Sequence, residues 1–140
     1  MRYWDSSAMV PLLVSQRHSE ALVGLVASDN NLITWWGTRV ECVSALARLG
    51  REGGLDPIGL RDALRRLREL ALGWSELSPS EPVRHLAEAL LLRHPLRAAD
   101  ALQLAAALDA SSRYAGGLTL VCLDDRLREG AVREGLDVLP

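Results

Sequence analysis

The sequence predicts an α/β domain with a largely parallel sheet, and three observations support that class. Short β-branched or apolar runs alternate with longer stretches of helical periodicity along the whole chain. The length of 140 residues fits one domain, residues 1–140, that is long enough to bury a sizeable core. Hydrophobic residues make up 49% of the chain and charged residues 24%, which is the balance of a globular protein rather than a disordered one.

The first half of the chain predicts two strands and three helices. Ser6 and Ser7 offer N-cap chemistry for the first helix, which Pro11 bends or shortens. Residues 32–36 are β-branched and aromatic, as in a strand, and residues 38–51 show apolar positions at helical spacing. The predicted elements are, in order, a strand over 1–5, a helix over 6–15, a helix over 18–27, a strand over 32–36 and a helix over 38–51.

The second half is divided by cap and turn signals. Asp56-Pro57 pairs an N-cap with proline at the first helical position, and the capping-box pattern from Ser78 to Glu81 starts another helix that His94-Pro95 stops. The helix over 97–111 is apolar on nearly every side and should be buried. The predicted elements are a helix over 57–72, a strand over 74–77, a helix from the Ser78 capping box to His94, a helix over 97–111, a strand over 118–123, a short helix and an edge segment over 136–139.

Composition excludes several classes of protein. The net charge of −2 gives no argument for nucleic acid, and the two distant cysteines are expected to be buried, reduced thiols. The three histidines lack the spacing of a zinc site. No apolar run approaches the ~20 residues of a membrane span. The opening segment places an aspartate where a signal peptide would be apolar, so we expect a mature, cytoplasmic protein with no membrane partner.

Several acids occur where apolar residues would be expected. Asp5 ends the first predicted strand, and Asp124 and Asp125 end the fourth. Glu41 and Asp100 lie on helices and are flanked by apolar neighbours. Functional groups of parallel α/β sheets gather at the carboxyl ends of the strands. A carboxylate in apolar surroundings is costly unless it is paired or binds a cation, so these acids need a compensating partner.

Two kinds of partner are open at this point. Arg39 and Arg97 lie close in sequence and offer ion pairs, and each acid taken alone can instead gain from a helix N-terminus. Alternatively, Asp5, Glu41 and Asp100 converge with one late aspartate on a divalent cation. Ligation by carboxylate oxygens alone suits Mg²⁺ or Mn²⁺ rather than Zn²⁺.

Four segments together resemble the PIN domain, the metal-dependent nuclease fold of VapC-type toxins from type II toxin–antitoxin pairs. The segments are residues 3–13, 39–48, 96–107 and 121–127, and the resemblance runs nearly end to end. It implies a PIN-like three-layer α/β/α sandwich with a mostly parallel central sheet of about 4–5 strands. The order and spacing of the four segments carry the resemblance, since no single segment is specific.

The resemblance also implies an activity and a site. Members of the family cleave RNA with three or four acids that hold Mg²⁺ or Mn²⁺, and by position these acids are Asp5, Glu41, Asp100 and Asp124. Ser6 matches a serine that often stands beside the metal. The implied partners are an RNA substrate, a cognate antitoxin and a second copy of the chain in a homodimer. A housekeeping RNA-processing nuclease and a non-catalytic PIN-like binding module are the alternatives.

The chain departs from the family pattern at three positions. Cys122 stands where threonine or serine is usual, Gln103 where histidine is common, and Asp125 where arginine or another polar residue is common. Asp124 is the preferred site residue of the late pair. Asp125 is its backup, and we expect it to cap the helix that follows or to face solvent.

Partner surfaces are less clearly marked. Arg61, Arg65 and Arg68 share one helical face that could contact phosphate, although a solvated face explains them as well. Trp35-Trp36 could stack on bases, but packing in the sheet or at a subunit contact is the preferred interpretation. Six apolar residues of the first helices exceed the needs of one core face and predict apolar surface for a partner: Met9, Val10, Leu12, Leu13, Leu22 and Leu25. The resemblance implies that an antitoxin lays a helix or strand in such a groove.

A phosphoacceptor receiver domain is excluded by the basic residues. It needs a lysine on a late strand, and all 16 basic residues of this chain are arginine. A dinucleotide-binding module is excluded because no Gly-x-Gly-x-x-Gly follows the first strand.

Overall fold

The computed structural model, which describes residues 1–140, contains one sheet of five parallel strands. The strands are β1 (Arg2–Trp4), β2 (Leu32–Trp35), β3 (Ser75–Leu77), β4 (Thr119–Val121) and β5 (Asp137–Leu139). Their order across the sheet is β3-β2-β1-β4-β5, and every neighbouring pair is parallel. The predicted α/β class and parallel sheet are therefore confirmed.

Seven helices connect the strands and cover both faces of the sheet. They are α1 (Ser6–Leu13), α2 (Ser19–Ser28), α3 (Thr38–Arg51), α4 (Pro57–Ala71), α5 (Glu81–Arg93), α6 (Ala98–Ser112) and α7 (Asp125–Arg133). Each corresponds to a predicted helix, with ends that differ by a few residues. None of the helices is long and apolar enough to cross a membrane.

The start of α5 differs from its prediction. The N-cap is Ser80, whose hydroxyl accepts a hydrogen bond from the Val83 backbone N–H, and not Ser78. A helix capped by Ser78 would place Pro82 at the position that must donate the first intrahelical hydrogen bond, and proline has no N–H. With Ser80 as the cap, the same proline lies in the first turn, where its missing donor costs nothing.

Alternate residues of the central strand face two separate apolar cores. The Tyr3 side chain packs into a core built with α5, α6 and α7, while the next residue, Trp4, packs into a core built with α1 to α4. Helices therefore cover both faces, and the three-layer α/β/α sandwich is confirmed. The prediction that apolar residues of the first helices stay free for a partner is wrong for four of the six, because they are buried in the core that α1 to α4 form with the sheet: Met9, Val10, Leu13 and Leu22.

The topology brings several helix N-termini to one edge of the sheet. The helices α1, α3 and α7 begin directly after β1, β2 and β4, at the carboxyl ends of these strands. The helix α6 leads back to the start of β4, so its N-terminus lies at the same edge. The partial positive charge of a helix N-terminus stabilises nearby carboxylates, which makes this edge suited to acidic residues.

Gly37 is the one position of the β2–α3 connection where a side chain has no room. A Cβ placed on Gly37 would collide with the indole nitrogen of the buried Trp35. We therefore expect Gly37→Ala to lower the free energy of unfolding by about 1–3 kcal/mol, measured by urea denaturation.

Gly24→Ala is the matched control for this substitution. Gly24 lies inside α2 with no atom within 4 Å of an added Cβ. Alanine there should be neutral or should stabilise the protein by about 0.5–1 kcal/mol. Equal effects of the two substitutions would contradict the steric account of Gly37.

Candidate active site

The four predicted acids all lie at the N-termini of helices. Asp5 is the N-cap of α1 and Asp124 is the N-cap of α7, while Asp100 and Glu41 lie in the first turns of α6 and α3. Each helix N-terminus offers N–H groups and a favourable dipole to its acid. This explains how the chain tolerates several carboxylates at one edge of the sheet.

Asp5 is the most deeply buried of these acids, with 3% of its surface exposed. Its Oδ2 accepts hydrogen bonds from the Ser7 backbone N–H at 2.9 Å, from the Ser7 hydroxyl and from the Cys122 thiol at 3.5 Å. Burial raises the pKa of Asp5 to about 6, against the opposing effect of the Ser7 hydrogen bonds and with a further contribution from the charge of Glu41. The protein thus holds a desolvated carboxylate with a second acid close enough to repel it.

Glu41 is held by a chain of side-chain hydrogen bonds. Its Oε2 accepts from the Ser6 hydroxyl at 2.8 Å and from the Gln103 amide nitrogen at 2.9 Å. The same amide nitrogen donates to the Thr38 hydroxyl, and the Gln103 carbonyl oxygen accepts from the Tyr3 hydroxyl at 2.8 Å. Gln103, 1% exposed, therefore fixes the Glu41 carboxylate from inside the core.

Sequence reasoning treated Gln103 only as a departure from the family pattern and missed this role. The available signal was an amide in the otherwise apolar interior of the helix over 97–111. A buried amide must find partners for its donors and its acceptor, so its presence there indicated a buried polar network.

A cleft of about 610 Å³ lies above these groups, between α1, α3 and the start of α6. Its walls include Ser6, Ser7, Glu41 and Asp100. Asp5 does not line the cleft, but its carboxylate accepts hydrogen bonds from Ser7, which does. The predicted serine at position 6 and two of the predicted acids therefore face one common space.

Asp124 is not part of that wall. Its Oδ1 accepts from the Leu127 backbone N–H at 2.9 Å, and its own N–H donates to the sulfur of Cys122, which contacts Asp5. Asp100 is also turned towards the backbone, since its Oδ2 accepts from the Arg97 N–H at 3.0 Å. No group of three or more acids, histidines or cysteines is close enough to enclose a metal ion, and the four-acid site stays a prediction.

The late aspartates divide their roles differently from the prediction. Asp124 caps α7, whereas Asp125 is the first helical residue and is exposed. The interpretation of Asp125 as a cap is wrong, and its orientation to solvent is confirmed. The cap falls on Asp124 because that residue keeps the extended backbone an N-cap needs, and the helix begins one residue later.

The ion-pair explanation of the buried acids is not what the structure forms. Asp5, Glu41, Asp100 and Asp124 take part in none of the ion pairs of the protein, whereas acids elsewhere on the surface are paired with arginine. A buried carboxylate without a cationic partner is the kind of group that a bound cation compensates. The donors available to such an ion are carboxylate and hydroxyl oxygens.

Cys122 does not change the chemistry of this donor set. Burial raises the pKa of its thiol far above the usual range, with the charge of Asp5 adding to the effect. The sulfur therefore stays protonated and donates to Asp5 rather than acting as a thiolate ligand. An oxygen-only donor set fits Mg²⁺ or Mn²⁺ and does not favour Zn²⁺.

Comparison with known proteins gives a consistent family assignment. A family model described as PIN domain matches residues 2–132. Ribonuclease VapC45 and Ribonuclease VapC49, both from Mycobacterium tuberculosis, are 32% identical to this chain over 141 residues, which cover 99% of this chain and 94% of each relative. The chain belongs to the PIN domain family, and the resemblance seen in the four sequence segments is confirmed.

Solved structures agree with this fold. VapC20 of Mycobacterium tuberculosis, described as a Sarcin-Ricin loop cleaving toxin, superposes with a TM-score of 0.70 at 16% identity and covers 92% of this chain and 94% of that chain. A toxin–antitoxin complex from Klebsiella pneumoniae superposes with a TM-score of 0.67 at 18% identity and covers 100% of this chain and 97% of that chain.

The raised pKa of Asp5 predicts a stability cost in the metal-free protein. A folded-state pKa of about 6, above the usual 3.8, means that the folded state favours the protonated acid. The contribution of the protonated Asp5 to the free energy of unfolding is therefore fully present below about pH 4. It is lost as the pH rises through about 6, because the buried carboxyl group must then ionise. We expect Asp5→Asn, which keeps the N-cap, to raise the free energy of unfolding in EDTA by about 1–3 kcal/mol at about pH 8 and by little at about pH 4.

Asp56→Asn is the matched control, because Asp56 is an exposed N-cap on α4 whose carboxylate accepts from the Gly59 N–H. Asp56→Asn should not raise the free energy of unfolding at about pH 8. A destabilised Asp5→Asn protein at both pH values would contradict the burial cost.

Proposed function

We propose that this protein is a metal-dependent endoribonuclease that hydrolyses RNA phosphodiester bonds, acting as the toxin of a VapBC-type toxin–antitoxin pair. The observation that carries the proposal is the buried, unpaired carboxylate of Asp5 beneath an acidic cleft in a PIN domain. Ribonuclease relatives that match nearly the full length of the chain support the reaction class.

The acids have different proposed roles at a bound Mg²⁺ or Mn²⁺. Asp5 and Asp100 are the direct ligands, Glu41 is a direct or water-bridged ligand, and Asp124 orients a water molecule or a second ion. A cation held there would stabilise the charge that develops at the scissile phosphate and would lower the pKa of an attacking water.

The surrounding residues position these ligands. Ser6 and Gln103 fix the Glu41 carboxylate through the same oxygen, and Ser7 fixes Asp5. The Ser7 hydroxyl also accepts from the Leu123 backbone N–H at 2.9 Å, which ties the ligand at the end of β1 to the segment after β4. Such fixed orientation lowers the reorganisation needed when charge develops at the phosphate.

The nucleophile in this proposal is water rather than a side chain. The Cys122 thiol is held protonated by burial, and the Ser7 hydroxyl is committed to Asp5. No histidine stands among the residues that line the cleft, so an activated serine or cysteine lacks its base.

RNA cleavage with and without EDTA tests the proposal. Wild-type protein should cleave RNA with added Mg²⁺ or Mn²⁺, and cleavage should stop in EDTA. Asp5→Ala should abolish the metal-dependent cleavage. Absence of cleavage by the wild-type protein with either ion would favour the non-catalytic PIN-like module, and full activity of Asp5→Ala would remove the proposed site.

We propose that an antitoxin helix occupies an apolar recess on the opposite side of α1. The recess, of about 430 Å³, lies between α1, α2 and α4 and is lined mainly by aliphatic side chains: Leu12, Leu13, Val23, Val26, Ala27 and Leu70. Val23, one of these residues, is 56% exposed. A small open reading frame directly upstream of the gene would favour the toxin role over a housekeeping nuclease.

We propose that a second copy of the chain covers another apolar patch, at the start of α3. Trp35 is buried in the sheet, whereas its neighbour Trp36 is 56% exposed beside Val40 and Val43. The two indoles meet edge to face. A homodimer would remove the exposed indole from water.

The two late aspartates give a matched pair of variants. We expect Asp124→Asn to lower the rate of RNA cleavage by roughly tenfold or more, because it removes an outer acid of the site. Asp125→Asn removes the same charge one residue later on an exposed position and should leave the rate near wild type. Loss of activity in Asp125→Asn with full activity in Asp124→Asn would reverse the assignment.

A further inference from the structure

Two arginines line the acidic cleft and have no role in the site described so far. Arg48 lies on α3 and Arg97 immediately precedes α6, so they reach the same space from two different elements. Both are exposed, and neither takes part in an ion pair. Two unpaired cations therefore stand beside a group of unpaired acids.

The position of Arg48 follows from helix geometry. Glu41, Ala45 and Arg48 occupy one face of α3, and all three line the cleft. Seven residues of helix span roughly 10 Å, so the backbone positions of Glu41 and Arg48 lie about two turns apart along the cleft. Arg48 forms no ion pair with Glu41.

Arg97 is separated from the nearest acid in another way. Its backbone N–H, not its side chain, bonds the Asp100 carboxylate. The guanidinium is therefore free, and substituting the side chain leaves the hydrogen bond to Asp100 in place. The Asp100 carboxylate thus binds the Arg97 backbone, and the Arg97 side chain takes no part in that hydrogen bond.

RNA phosphates must approach the negative charges of Asp5, Glu41 and Asp100, and several arginines elsewhere do not line the cleft. Within the row on α4, Arg65 is paired with Asp62 and Glu69. Arg39 lines a different recess, beside Trp36. Arg48 and Arg97 are thus the basic residues that face the space where Glu41 and Asp100 meet.

We propose that Arg48 and Arg97 bind the backbone phosphates that flank the scissile one and hold single-stranded RNA across the cleft. The inference rests on the proposed ribonuclease function and adds the residues that recognise the substrate backbone. Contacts to phosphate are independent of base sequence and release counterions, so they have a defined salt dependence. They should affect binding more than the rate of bond cleavage.

Binding of a fluorescent single-stranded RNA, measured in a KCl titration with Mg²⁺ present, tests the inference. The parent is the Asp5→Asn protein, which leaves the RNA intact, and the variants add Arg48→Ala, Arg97→Ala or both. Each arginine-to-alanine substitution should reduce the magnitude of the slope of log K against log salt concentration by about 0.7. The double variant should bind roughly tenfold more weakly than the parent at moderate salt.

Arg68→Ala is the matched control, since Arg68 is exposed in the last turn of α4, has no ion pair and lies outside the cleft. It removes the same charge and should leave both the slope and the Kd unchanged. A double variant that keeps the slope and the Kd of its parent would overturn the inference, as would equal losses in Arg68→Ala.

Cleavage kinetics in the otherwise wild-type protein separate this inference from the proposed function. The double arginine variant should raise KM by roughly tenfold and keep kcat near wild type. Wild-type cleavage with an unchanged KM in the variant would overturn the inference and leave the function standing. Salt-dependent RNA binding through both arginines, without cleavage by the wild-type protein, would support the inference and overturn the proposed function.

Discussion

The buried carboxylate of Asp5 is the constraint on which the arrangement of the site depends. The residue ends the central strand, is almost fully enclosed, and has no positively charged partner. The N-terminus of α1 and the Ser7 hydrogen bonds compensate part of the desolvation, but burial still raises its pKa to about 6. This desolvation lowers the stability of the folded protein unless a bound cation or a proton neutralises the Asp5 carboxylate.

The sheet connects this acid to the rest of the site. Consecutive residues of β1 face opposite cores, so Tyr3 points away from Trp4 and reaches Gln103 on α6. Gln103 in turn holds Glu41 on α3. The buried hydroxyl and amide therefore hold the half-buried Glu41 carboxylate through hydrogen bonds that join three elements, and such networks fix side-chain orientation. The rigidity of the Glu41 side chain is thus a property of the core and not of the cleft surface.

The sequence predicted those features that depend on local chemistry. Helix α3 begins and ends where its periodicity indicated, and Asp5 was recognisable as an acid at the end of a buried strand. Other features depend on the folded backbone and were not predictable in the same way. The choice of Asp124 over Asp125 as a cap depends on which residue stays extended, and the role of Gln103 depends on Tyr3, a hundred residues away.

Cation binding by the isolated protein tests the central claim most directly, since it requires neither the RNA target nor the antitoxin. Electron paramagnetic resonance of free Mn²⁺ during a protein titration measures that binding. Wild-type protein should take up Mn²⁺ stoichiometrically, and Asp5→Asn should leave the free-ion signal largely unchanged, while Asp56→Asn binds like wild type. An unchanged Mn²⁺ signal with wild-type protein, or equal uptake by Asp5→Asn, would contradict the assignment of the buried carboxylate as a cation ligand.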